Sequence, residues 1–184
     1  MNKRTFLQRS LMLGLSLNSV ALLSGQANVL AAPKDSEKSV FPKAYQVSGR
    51  SLQGENLSLA GYRGKFVLVT LWATWCPTCR KELPLLRNFY ADNHRKGFEM
   101  LALSVDEKMQ DVSDYARILF SIVPKNEQFP ILWRPAKGHQ DNLGPLAGTP
   151  THFIFDREGK LFRQRNGPLT PEDWDDLWTE LGSK

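Results

Sequence analysis

Residues 66–84 read FVLVTLWATWCPTCRKELP, and the change of character inside that stretch decides the fold. Phe66 to Trp72 is an almost unbroken apolar and β-branched run, the pattern of a central strand buried on both faces. A helix is expected to open at Cys76-Pro77-Thr78-Cys79. Pro77 falls at the first helical position, where a missing N–H costs nothing, and Leu83, Leu86 and Tyr90 recur at helical spacing. Pro84 is expected to kink this helix one to two turns in. A strand that runs straight into a helix start puts both cysteines at its C-terminal end, where α/β sheets present reactive groups.

Working outward, Tyr45-Gln46-Val47 and Leu57-Ser58-Leu59 alternate about glycine-containing turns and predict an N-terminal hairpin. Met100 to Val105 reads as the next strand, and Val112, Tyr115, Ala116 and Leu119 as the apolar stripe of a helix. Gln128 to Trp133 is a short candidate strand before a Gly/Pro-rich loop over 134–150. Thr151 to Phe155 and Lys160 to Gln164 flank the turn Asp156-Arg157-Glu158-Gly159 as a second hairpin. The closing helix has Thr170 as N-cap, Pro171 at its first position and Asp173 in its first turn. Trp174, Leu177, Trp178 and Leu181 form its buried stripe, and Gly182 ends it. The expected class is α/β: a mixed central sheet with helices on both faces and an N-terminal β-hairpin.

The chain has 184 residues, enough for one domain, placed here at 41–184. Residues 1–31 read as a signal peptide. Lys3, Arg4 and Arg9 form a positive start, and Leu11 to Leu23 is apolar but too short and too interrupted for a comfortable membrane span. Cleavage after Ala31 fits best and after Ala27 second; a retained membrane anchor is the alternative. Lys3-Arg4-Thr5-Phe6-Leu7-Gln8 resembles the twin-arginine consensus with Lys in the first place, so the route is Sec or Tat. No cysteine follows to carry a lipid. Residues 32–40 are polar and aperiodic, a flexible leader. The expected location is the periplasm.

Setting aside the three basic residues of positions 1–31 leaves 21 basic against 19 acidic, with no basic run to follow a phosphate backbone. Nucleic-acid binding is excluded on that ground, and membrane contact is expected only if the N-terminal segment is retained.

Cys76 and Cys79 are the only two cysteines. At a helix start they lie one turn apart on one face, within disulfide reach of ~5–6 Å between Cα atoms. The first faces free backbone N–H groups and the positive end of the helix dipole, which favour thiolate. Cys76 is thus the expected nucleophile and Cys79, deeper, the resolving thiol. A zinc site needs two more ligands, and His94, His139 and His152 show no ligand-pair spacing. A purely structural disulfide at this spacing closes too small a ring to constrain much of the chain.

Residues 64–84, GKFVLVTLWATWCPTCRKELP, and 148–160, GTPTHFIFDREGK, resemble the TlpA/ResA/CcmG group of exported thioredoxin-like reductases, from about Tyr45 to the end. The resemblance implies a thioredoxin-like fold and a protein thiol–disulfide oxidoreductase, reducing protein disulfides without a bound cofactor or metal. It implies electrons from a membrane thiol-transfer protein and a substrate such as the haem-binding motif of an apocytochrome c. It also implies that Pro150 is cis and faces the cysteines, exposing the Thr149 backbone to an extended substrate segment. Trp75, with Pro77 and Thr78, completes that platform. Glu82 matches a family glutamate and either steers a proton at Cys79 or is a solvated helix-face carboxylate.

Two residues depart from pattern. Thr70 stands six residues before Cys76, where thioredoxins proper carry a buried Asp, so a proton acceptor for Cys79 must come from elsewhere. His152 replaces a small polar residue; it either tunes the site's pH dependence or simply faces solvent. Three rivals remain in view. A disulfide oxidase shares fold and motif. A peroxidase would carry Thr where this chain has Ala73. A copper-handling factor would use Cys-x-x-x-Cys with a positioned His.

Overall fold

The computed structural model describes residues 44–182. The expected signal peptide at 1–31, the expected leader at 32–40 and the first residues of the expected domain lie outside the described residues.

Strand β3 (Phe66–Trp72) is the axis of the fold. All seven of its residues are buried, because it has a hydrogen-bonded neighbour on each edge and a hydrophobic cluster on each face. Helix α1 (Pro77–Asn93) follows, then a 3-10 turn ending at Gly97, whose φ of 95° is the left-handed conformation that glycine adopts without a Cβ clash. The chain returns as β4 (Phe98–Ser104), parallel to β3 from Phe66 opposite Phe98 to Trp72 opposite Ser104. Helix α2 (Met109–Leu119) and the short β5 (Ile131–Trp133) repeat the crossover. On the other edge, β7 (Thr151–Phe155) runs antiparallel to β3, and β8 (Leu161–Asn166) closes the five-stranded order β5-β4-β3-β7-β8. Helix α3 (Pro171–Gly182) follows β8.

An N-terminal hairpin, β1 (Val47–Arg50) with β2 (Asn56–Ser58), is extended to three strands by β6 (Gln140–Asp141). No residue pattern marks β6, a two-residue strand inside the expected 134–150 loop. Gly49 permits a close approach there: a Cβ would sit 2.8 Å from His139 Nδ1.

The alternation of β3 sorts the core. Val67, Val69 and Leu71 point into a cluster with Phe153, Phe155, Leu101 and Leu103 that the small sheet and the 3-10 turn Leu59–Tyr62 cover. Phe66, Leu68 and Trp72 point into a larger cluster supplied by α1, α2 and α3. The three α-helices thus share one face, and among the described residues helical cover on the other is confined to that 3-10 turn. Right-handed crossovers stepping twice in the same direction, β3 to β4 to β5, place α1 and α2 on the same side.

Pro84 lies inside α1, and the helix continues through it to Asn93. In α3 the expected stripe holds at Leu177 and Leu181, but Trp178 is 51% exposed, one edge of its ring against Phe89. Among the described residues no helix is long and apolar enough to cross a membrane.

Candidate active site

The loop Ala73–Cys76 carries the chain from the end of β3 to the start of α1. Its shape is fixed by Asp106, a buried residue just beyond β4. The Asp106 carboxylate accepts Thr74 N–H at 3.1 Å, the Thr74 hydroxyl at 2.6 Å and the Ser104 hydroxyl at 2.7 Å. Its backbone carbonyl accepts the Trp133 indole N–H at 2.7 Å. Because strands β3 and β4 are parallel and in register to their last residues, an acid following β4 necessarily meets the loop that follows β3. Sequence reasoning missed Asp106, whose only signal was its place after a strand end.

Cys76 is the N-cap of α1, with extended backbone (φ −84°, ψ 112°) and Pro77 at the first helical position. Its Sγ accepts the Cys79 N–H at 3.1 Å. The two cysteines are disulfide-bonded with Cα atoms 5.3 Å apart, inside the expected separation. Both are buried, Cys76 at 3% exposure and Cys79 at 1%. Around them Trp75, Pro77 and Thr78 are exposed, the Trp75 side chain strongly so at 65%. The Thr149–Pro150 peptide is cis, and the Thr149 carbonyl oxygen lies 3.4 Å from Cys76 Sγ. With the disulfide formed, that sulfur has no proton to donate; after reduction the same carbonyl is placed to accept one. The fold therefore brings the Cys76–Cys79 pair and the cis Thr149–Pro150 peptide, 73 residues apart in sequence, to one point.

Glu82 and His152 are not surface groups. Glu82, one turn beyond Cys79 on α1, is 6% exposed, and His152 on β7 is fully buried. Glu82 Oε1 accepts the Leu169 N–H at 2.7 Å, and Oε2 lies 3.0 Å from His152 Nε2. That contact has the distance of an ion pair without the alignment of a hydrogen bond, so Nε2 has no aligned partner among the described residues. On the other side of the ring, Nδ1 is 3.1 Å from the Thr70 hydroxyl. The solvent-facing alternatives for Glu82 and His152 are corrected on this ground. Thr70 and His152 are directly opposed across β3 and β7, so their side chains emerge on the face that α1 covers.

His139, the other buried histidine, belongs to a different cluster. Its Nε2 meets Asp141 at 2.8 Å, and Asp141 also takes two Arg134 hydrogen bonds at 2.8 Å and the Leu143 N–H at 3.2 Å. Burial alone would push the Asp141 carboxyl up; these donors outweigh it and hold it below the ordinary carboxylate range. The cluster ties the 134–144 loop to the small sheet. No group of three His, Cys, Asp or Glu among the described residues has the arrangement of a metal site. A surface cavity of about 410 Å³ lined by Leu52, Ala116 and Phe120 includes neither cysteine.

The AhpC/TSA family matches residues 40–164. Thiol-disulfide oxidoreductase ResA of Geobacillus thermodenitrificans (strain NG80-2) is 32% identical over 128 residues, covering 66% of this chain and 66% of that protein, just under two thirds of its length. Sporulation thiol-disulfide oxidoreductase A of Bacillus subtilis (strain 168) is 25% identical over 153 residues, 82% of this chain and 86% of that one. A solved thiol:disulfide interchange protein of the thioredoxin family from Chlorobium tepidum TLS superposes with a TM-score of 0.60 at 25% identity, over 76% of this chain and 95% of that one. Its fold is thus the thioredoxin fold, its sequence is similar to the ResA oxidoreductases, and the chain belongs to the AhpC/TSA family.

Proposed function

We propose that this chain is an extracytoplasmic protein thiol–disulfide oxidoreductase that works as a reductase, with Cys76 as nucleophile and Cys79 as resolving thiol. The observation that carries the proposal is the position of Cys76 Sγ at the N-cap of α1, 3.1 Å from an N–H that has no intrahelical partner. Negative charge on that sulfur is favoured by the N–H and by the helix dipole, so the reduced pair presents a thiolate.

The Cys76 thiolate attacks one sulfur of a substrate disulfide, forming a mixed disulfide and releasing the other substrate sulfur as thiolate. Cys79, deprotonated, then attacks the Cys76 sulfur; the substrate leaves reduced and the Cys76–Cys79 disulfide forms. Glu82 serves proton transfer at Cys79. Trp75, Pro77, Thr78 and cis Pro150 form the substrate platform, and the Thr149 backbone pairs with an extended segment. A membrane thiol-transfer protein restores the dithiol by the reverse exchange. The basic, then apolar N-terminus supports export to the periplasm. The Cys-Pro-Thr-Cys sequence supports a role in cytochrome c maturation, with the apocytochrome's haem-binding cysteines as substrate.

The same sulfur chemistry run backwards makes an oxidase, and the reduction potential separates the two. Equilibration with glutathione is expected to give a potential well below about −120 mV, the value of a strong oxidant; a value there overturns the reductase reading. A peroxidase is disfavoured because fully buried Ala73 stands where that chemistry needs a hydroxyl. Cys79→Ser is expected to accumulate substrates as mixed disulfides on Cys76 in vivo. Capture by Cys76→Ser instead would exchange the two roles.

A further inference from the structure

We propose that His152, held between Thr70 and Glu82, takes up a proton whenever the Cys76–Cys79 disulfide is reduced, and so stores the charge that a thiolate at Cys76 leaves unbalanced. This deepens the reductase reading and rests on it.

The partners of His152 suit both of its protonation states. Neutral, with its proton on Nε2 toward Glu82, the ring accepts from the Thr70 hydroxyl at Nδ1. Charged, it donates from Nδ1 to the same hydroxyl, which turns over, while Glu82 3.0 Å away supplies the counter-charge. A hydroxyl is the one short side-chain group that donates or accepts without moving its heavy atom. An aspartate at position 70 would instead fix one state. The Glu82 carboxylate is itself anchored by the Leu169 N–H at 2.7 Å, so it stays in place through the change.

The other charges around the ring are committed elsewhere. Arg165 on β8 is directly opposite His152 in the sheet, but its Nε donates to Asp173 Oδ2 of α3 at 2.8 Å. Asp173 is also bound by Arg163 at 2.8 Å. On α1, Glu82 faces His152, and Cys79 is buried three residues before it on the same helix. Glu82 is thus the carboxylate that faces His152, and the Cys76–Cys79 pair is the redox-dependent charge nearest to it along the helix. A negative sulfur appearing there raises the proton affinity of the imidazole, and by linkage a protonated imidazole favours the thiolate.

Two glutathione thiols reduce the disulfide, become glutathione disulfide and release two protons. One proton goes to the Cys79 sulfur, Cys76 remains thiolate, and the second proton goes to His152. Without a titrating group at 152 that second proton enters solvent.

The equilibrium constant for this exchange is to be measured between about pH 5.5 and 7.5, where glutathione stays protonated. For the unsubstituted protein it is expected to stay constant. For His152→Gln, which keeps polar atoms toward both neighbours, it is expected to rise with pH, approaching tenfold per unit toward the upper end of the range, and Glu82→Gln is expected to behave likewise because the imidazolium loses its counter-charge. A constant that rises as steeply in the unsubstituted protein as in His152→Gln, or that stays flat in His152→Gln, overturns the proposal. A second measurement needs no variant: the ring resonances of His152, followed against pH, are expected to titrate at higher pH in the reduced than in the oxidised protein. Identical midpoints overturn it. Failure of every form to react with glutathione would instead sink the oxidoreductase reading itself.

Discussion

Asp106 shows how one side chain sets the geometry of sulfur chemistry it never touches. Three donors converge on its buried carboxylate, two of them from Thr74, and Thr74 is separated from Cys76 only by Trp75. Asp106→Ala strands those donors in a buried site, which costs about 1–3 kcal/mol for each group left unpaired. Urea unfolding of this variant is expected to show a loss of unfolding free energy of at least about 1–3 kcal/mol. The disulfide-reductase rate is expected to fall more than the global loss explains, because the loop ahead of the nucleophile is freed. An unchanged rate in the folded variant would confine Asp106 to stability. Not every such residue was equally visible beforehand. The burial of Glu82 was legible in principle, since it falls on the stripe that runs through Cys79, Leu83, Leu86 and Tyr90. The pairing of Thr70 with His152 was not, because it depends on the register between β3 and β7, 82 residues apart, and periodicity carries no register.

Helix α3 illustrates a charge device confined to one element and its neighbour strand. The Thr170 N–H donates to Asp173 at 2.9 Å and Asp173 N–H returns to the Thr170 hydroxyl at 3.4 Å, a reciprocal cap with Asp in the usual Glu position. Burial on its own would raise the Asp173 carboxyl. The Thr170 N–H, Arg163, Arg165 and the Thr170 hydroxyl outweigh it and hold the group well below the ordinary carboxylate range. A depressed folded-state value means that the stabilisation is complete above the unfolded pKa of about 3.9 and is lost as pH falls below it. Urea midpoints measured from about pH 6 to pH 3 are expected to decline in the acid range for the unsubstituted protein and less steeply for Asp173→Asn, which starts lower. A parallel decline would show that other carboxylates carry the acid sensitivity. The cap, Pro171 and the helix end were readable from residue type, whereas the exposure of Trp178 was not. A stripe assigns a side chain to a face, but the width of what covers that face is a property of the neighbouring helix. Where α1 does cover, the cost is local: Leu86→Ala, at a fully buried position, is expected to lose about 2–5 kcal/mol in denaturant titration.

At the scale of the whole molecule, the direction of electron flow becomes a question of which redox form is the better folded. The folded and unfolded chains share one thermodynamic cycle, so a chain that holds its disulfide more tightly when folded than when unfolded is a reductase by construction. Two opposing contributions can be placed on that cycle. The Cys76–Cys79 bridge closes a short ring, and restricting the unfolded chain this way stabilises the oxidised form by about 2 kcal/mol. The N-cap position of Cys76 works the other way, since every bit of thiolate stabilisation by the Cys79 N–H and the α1 dipole belongs to the reduced form alone. About 2 kcal/mol corresponds to roughly a thirtyfold excess of thiolate over thiol, so the two cancel near that ratio. The reductase reading therefore requires a thiolate at Cys76 that is populated, as attack demands, yet less than about thirtyfold in excess at neutral pH. Urea titrations of the oxidised and reduced protein are expected to give the higher midpoint for the oxidised form. The reduced form unfolding later would mean that the helix terminus dominates, and the chain would then draw electrons from its substrates.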